Sequence, residues 1–113
     1  MKNGWQLRSK NAMTIVVQED MFPKFDGSIV HPLFSTASMV HYMEWVSRNL
    51  LLPFLEQDEE AVGAEVIVKH RGPAKLGDEI LFEGRIIAVQ ENKMLTKILA
   101  KVNDRTIGVG EVT

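Results

Sequence analysis

Cysteine is absent from the 113-residue sequence. That single absence excludes disulfide scaffolds, thiol nucleophiles, thiolate zinc sites and iron–sulfur clusters. An excess of positive charge is also missing. The 13 basic residues face 15 acidic ones, for a net charge of −2, whereas a nucleic-acid partner normally needs a concentrated basic surface. No apolar run is long enough for a membrane. The most apolar window, Met39 to Leu55, is interrupted by His41, Glu44, Arg48 and Asn49, which excludes a spanning helix. Lys2, Arg8 and Lys10 near the N-terminus are not followed by an apolar stretch of signal-peptide length, so the expected location is cytoplasmic. Repeats, low-complexity tracts and Gly/Ser linkers are lacking too, so residues 1–113 are expected to form one domain.

What is present suits a soluble domain with an ordinary core. At 45% hydrophobic and 25% charged, a chain of this size hides about 65% of its unfolded surface on folding. The first third is mixed. Met13–Val17 reads as a strand, and Phe22 to Phe34, with two prolines and a glycine, reads as a long surface loop of the kind that often serves as a lid or binding loop. From Ser35 to about Leu52, Ala37, Val40, Met43 or Glu44, Val46 and Leu50 recur at spacings of three and four. Met39, Tyr42 and Leu51 widen that apolar arc, which predicts a largely enclosed helix. Ser35 or Thr36 supplies its N-cap, and Pro53 kinks or ends it. The acidic run Glu56, Asp58, Glu59 and Glu60 reads as a solvated loop.

Beyond Gly63 the pattern is of strands. Ala64, Val66, Val68 and His70 share one face, Gly72-Pro73 and Gly77-Asp78 mark turns, and Ile80–Gln90, Met94–Val102 and Thr106–Val112 are β-rich. One enclosed helix ahead of a meander of about four strands predicts an α+β hotdog domain, a curled antiparallel sheet wrapped round one central helix.

The motifs that would carry other chemistries are missing. There is no G-x-x-x-x-G-K-S/T, G-x-G-x-x-G or G-x-S-x-G, and His31, His41 and His70 lack the H-E-x-x-H spacing of a zinc site. Glu44 stands out instead, a carboxylate in mid-helix between Met43 and Trp45. Such a group must be paired, neutral or useful. Arg48 at i+4 is the structural partner. Thr36 is a cap or a functional hydroxyl, and His70 ends a strand on its helix-facing side.

Taken together, the stretches Phe34-Ser-Thr-Ala-Ser-Met-Val-His-Tyr-Met-Glu-Trp45, Gly63-Ala-Glu-Val-Ile-Val-Lys-His70 and Leu76-Gly77-Asp78 resemble the hotdog-fold acyl-CoA thioesterases, and among them the fluoroacetyl-CoA thioesterase group. That group carries a threonine at the start of the central helix, a glutamate eight residues later within M-E-W, and a histidine closing the next strand. Those positions here are Thr36, Glu44 and His70. The resemblance implies hydrolysis of a small acyl-CoA, with coenzyme A entering as part of the substrate and no separate cofactor. It also implies a homodimer or higher homo-oligomer, with no nucleic acid or membrane as partner. Two positions depart from the group. Val30 stands where it has an aromatic lid residue, with Phe22, Phe25 and Phe34 as candidate replacements, and His41 stands where it usually has glycine. Val30, Phe34 and His41 are therefore candidate substrate contacts. Lys69, Arg71 and Lys75 around the Gly72-Pro73 turn are candidates for the coenzyme A phosphates.

The fold has no serine elbow, so the chemistry falls to Glu44, which would attack the thioester carbonyl or activate water. Thr36 would orient it and His70 would move protons. On a straight helix, however, eight residues separate Thr36 from Glu44 by about 12 Å along the axis and about 80° in rotation. Either the helix starts after Thr36 or the residues meet across a subunit boundary. Two rival readings use the same fold: a non-catalytic acyl-CoA or small-ligand binding module in which Glu44 pairs with Arg48, and a dehydratase or hydratase.

Overall fold

In the computed structural model the described residues are 10–25, 28–29, 32–52, 65–90 and 93–113. The element order is β1 (Lys10–Val16), a 3₁₀ turn (Glu19–Met21), β2 (Lys24–Phe25), β3 (Ser28–Ile29), α1 (Thr36–Leu51), β4 (Val66–His70), β5 (Glu79–Gln90), β6 (Lys93–Val102) and β7 (Arg105–Val112). The long loop read between Phe22 and Phe34 contains a minimal antiparallel pair, β2 with β3. The five long strands form one antiparallel sheet in the order β1-β5-β6-β7-β4. Among the described residues a single α-helix lies on it, the predicted α+β arrangement.

The expected meander of four strands needs correction. Only β5, β6 and β7 follow one another as neighbours, while β4 crosses over to pair with β7, Val66 opposite Val112 and His70 opposite Gly108. Runs of similar β-rich composition carry no label for their partners, because the strand alternation fixes a face and not a neighbour. The crossover leaves β1 and β4 as the two edges of the sheet.

Helix and sheet meet through complementary sizes. Met39, Met43, Val46 and Leu50, at helical spacing, are buried against the sheet. In β6, Met94, Thr96, Ile98, Ala100 and Val102 alternate inward. The helix sits close because the strands present glycines where it crosses. A Cβ at Gly84 would come within 2.5 Å of Val46 Cγ1, and one at Gly108 would overlap Met39. Burying Met39, Met43 and Val46 stabilises the fold by about 1.5–3 kcal/mol each. One polar link crosses the layer. The Thr96 hydroxyl donates to the Val112 carbonyl (3.1 Å) and shares a 2.9 Å hydrogen bond with Ser47 Oγ, so the buried hydroxyls satisfy each other.

The helix is not enclosed as its composition predicts. Thr36, Ala37, His41, Glu44, Trp45 and Arg48 are all exposed, with Trp45 at 48%. Apolar residues select for burial without saying what buries them, and one chain covers only one side of α1. Among the described residues no helix is long and apolar enough to cross a membrane.

Candidate active site

The site is built at the N-terminus of α1. Ser35 is the cap, in extended conformation, and its hydroxyl accepts from the Ser38 N–H at 3.0 Å. Thr36 is therefore the first residue of the helix and not its cap. The approach to the cap is pinned on both sides. Phe34 N–H donates to the Ala74 carbonyl and Ser35 N–H to the Met21 carbonyl, each at 2.8 Å. Phe34 itself is 1% exposed. It stacks on Tyr42 and tilts against Phe82, so it supports the floor beneath the site rather than lining an open surface.

This anchoring brings Thr36 to His70, 34 residues away in sequence. Thr36 Oγ1 lies 2.9 Å from His70 Nδ1, and which atom carries the proton follows the imidazole tautomer. His70 is aimed there because it ends β4 on the same face as Val66 and Val68. Among the described residues none accepts from the Thr36 or Ala37 N–H groups, whereas Ser38 and Met39 N–H are taken by the Ser35 side chain and carbonyl. Two backbone donors thus point out of the helix beside the Thr36–His70 pair, where the macrodipole favours negative charge.

Glu44 does not join this pair within the chain. Both Thr36 and Glu44 belong to the uninterrupted helix Thr36–Leu51, so the 12 Å axial separation, about, applies and a helix start beyond Thr36 is ruled out. Nor is Glu44 paired with Arg48. Among the described residues the ion pair present is Lys101–Glu83 at 3.4 Å on the sheet. Glu44 is exposed beside Trp45 instead of sitting in the apolar surroundings its neighbours suggest.

The remaining sequence candidates separate. His41 is exposed, with its ring edge-on to Tyr42 (5.1 Å) and Trp45 (5.9 Å). Arg71 and Lys75 are exposed on the segment leaving His70. Lys69 alternates to the opposite face of the sheet from His70, so it does not share their cluster, as strand periodicity dictates. Val30 lies outside the described residues. Among the described residues no three His, Asp or Glu side chains group as metal ligands.

Residues 17–113 match the family model described as fluoroacetyl-CoA-specific thioesterase. The chain belongs to that family. This thioesterase is similar over its fold to several solved structures. One is a hypothetical protein of Thermus thermophilus described as a thioesterase superfamily member, at 28% identity and TM-score 0.92, covering 97% of this chain and 82% of that one. A second is a mutant fluoroacetyl-CoA-specific thioesterase in complex with fluoroacetate and CoA, at 21% identity and TM-score 0.86, with coverage of 96% and 91%. A third is a hot-dog-like protein of Thermanaerovibrio acidaminovorans, at 19% and TM-score 0.86, with coverage of 94% and 78%. No curated protein sequence matches the chain significantly. Membership makes this chain an acyl-CoA thioesterase, and the likeness confirms the hotdog architecture.

Proposed function

We propose that the protein hydrolyses small acyl-CoA thioesters at a site shared between two copies of the chain, Thr36 and His70 from one protomer and Glu44 from its partner. The observation that carries this reading is the 2.9 Å Thr36–His70 contact with Glu44 stranded along the same helix. Thr36, Val40 and Glu44 recur every fourth residue and form one flank of α1, and Thr36 touches β4, so this flank lies on the side of the free β4 edge. A two-fold axis level with Val40 sets the flanks of two antiparallel helices face to face and matches each Thr36 with the partner's glutamate. The same pairing covers an open strand edge that would otherwise invite aggregation. The chain would then be a homodimer.

In such a site the thioester carbonyl oxygen faces the Thr36 and Ala37 N–H groups, which stabilise the oxyanion as it forms. The Glu44 carboxylate attacks the carbonyl carbon or takes a proton from the attacking water. Thr36 fixes the geometry, and His70 supplies a proton to the departing sulfur. The C–S bond breaks readily without strong acid assistance. Attack by water gives the free acid directly, whereas attack by Glu44 leaves an acyl–Glu44 anhydride that water then hydrolyses to the acid. Among the described residues Glu44 is exposed and makes no ion pair, which is unfavourable to a binding module in which Arg48 neutralises it.

Free-thiol release with a panel of acyl-CoAs tests the activity, and mixed variants test the sharing. Thr36→Ala and Glu44→Gln homodimers should each be nearly inactive. Equal mixing with subunit exchange should restore about a quarter of wild-type turnover, because half the dimers then carry one intact site. No recovery after demonstrated exchange would end the shared-site reading.

A further inference from the structure

The sequence offers Lys69, Arg71 and Lys75 for the coenzyme A phosphates but no surface that would hold the rest of the nucleotide end. On the described surface an open groove of about 600 Å³ runs between the turn at 75–78 and the β6–β7 turn, lined by Lys75, Asp78, Val102, Asn103, Asp104 and Arg105. Both walls are set by local structure. Asn103 adopts a left-handed conformation (φ 54°) that turns β6 into β7. Opposite it, Lys75 N–H donates to Asp78 Oδ2 at 2.9 Å and Asp78 N–H to the Lys75 carbonyl at 3.0 Å.

Arg105 ties this groove to the reacting pair. Its Nη1 donates to the Pro73 carbonyl at 2.8 Å, and the Arg71 and Gly72 N–H groups donate to the carbonyl of Ile107, two residues on. Ala74, just before Lys75, receives the Phe34 N–H that positions α1. The groove and the Thr36–His70 contact therefore lie on one short frame. His70 and Lys75, five residues apart, are separated by at most about 18 Å, a span that an extended pantetheine arm bridges.

We propose that this groove holds the adenosine 3′-phosphate 5′-diphosphate end of coenzyme A, with Arg105 and Lys75 as its phosphate-binding residues. The inference rests on the acyl-CoA thioesterase reading and adds a place for the nucleotide. One Arg105 nitrogen holds the turn, which fixes the guanidinium plane and leaves its other donors for a phosphate. The Lys75 ammonium bonds to no described residue. Asp78 is engaged by its own turn, while the Asp104 carboxylate and the Asn103 amide offer acceptors to ribose hydroxyls and the adenine amino group. This mixture of cations and acceptors fits a nucleotide better than a bare anion. Lys69, on the other face of the sheet, has no part in it.

The experiment compares an acyl-CoA with the same acyl group on N-acetylcysteamine, which lacks the nucleotide, in wild type, Lys75→Gln, Arg105→Gln and the double variant. The ratio of kcat/KM for the CoA thioester to that for the truncated thioester should fall about threefold in each single variant and at least tenfold in the double, through KM. Lys75→Gln leaves the Pro73 contact intact and so separates charge from folding. An unchanged ratio, including one in which both substrates lose activity in parallel, would overturn the proposal. Calorimetric titration with adenosine 3′,5′-bisphosphate reads the groove without turnover. Binding by wild type that weakens with salt and is lost in the double variant supports the proposal, even in a protein that cleaves neither thioester, an outcome that would instead sink the thioesterase reading. Equal binding by both, or none by wild type, would overturn it.

Discussion

The two sides of α1 differ in composition and do different work. The inner side, Met39, Met43, Val46 and Leu50, is buried against strands that carry glycine where the helix crosses. The outer side mixes Ala37, Val40 and Trp45 with Thr36, His41, Glu44 and Arg48, and lies largely open in one chain. The inner side is complementary to the same chain, and its residues are replaceable only at the cost of packing. Among the described residues the outer side's ionisable groups have no ion-pair partner and its apolar groups are at most partly covered, which is what the proposed site shared with a second copy would need. Stability and turnover should therefore come apart along the helix.

The largest separation is expected at Glu44. Glu44→Gln keeps the shape and removes the charge, so thioester turnover should fall at least about 100-fold, the usual size of a general-base contribution, with the melting temperature unchanged. Normal turnover in the folded variant would erase the distinction between the two sides. On the inner side the reverse holds. Gly84→Ala drives a methyl into the stiff Val46 side chain and should cost about 1–3 kcal/mol of unfolding free energy, while turnover per folded molecule survives. A denaturant midpoint equal to wild type would show that the close approach does not matter.

Thr96→Val is a finer cut. It removes the partner of Ser47 and of the Val112 carbonyl and should lower stability by about 1–2 kcal/mol, again measured by denaturant and again with activity retained. The smallest effect belongs to Arg48→Ala. Without an ion pair to Glu44, this exposed substitution should change stability by less than about 0.5 kcal/mol. A loss comparable to that of Thr96→Val would restore Arg48 as the partner of Glu44.

The cation cluster shows how far spacing can mislead. Lys69, Arg71 and Lys75 are neighbours in sequence, yet strand alternation turns Lys69 to the other face, while Arg105, 30 residues beyond Lys75, arrives beside the turn through the β7 pairing and donates to Pro73. Nothing local to Arg105 signals this, because the contact depends on how β7 lies against the segment after β4. The Thr36–His70 contact was foreshadowed only in part. The parity of Val66, Val68 and His70 aims the histidine at the helix, but its meeting with Thr36 depends on the Ser35 cap and on the two hydrogen bonds that hold residues 34 and 35.

The sequence by itself determined the periodicities: a helix from about Ser35 to the low fifties, strands that alternate, turns at glycine and proline, and the identity of the one mid-helix carboxylate. Those features are local, set by side-chain spacing and backbone preference. Tertiary structure alone decided which side of α1 the chain buries, that β4 joins β7 instead of β5, and that Thr36 reaches His70 while Glu44 does not. Apolar spacing records that a surface avoids water. It carries no mark of whether the cover is the same chain or another, and only the assembled sheet, with one side of the helix exposed, makes that difference visible.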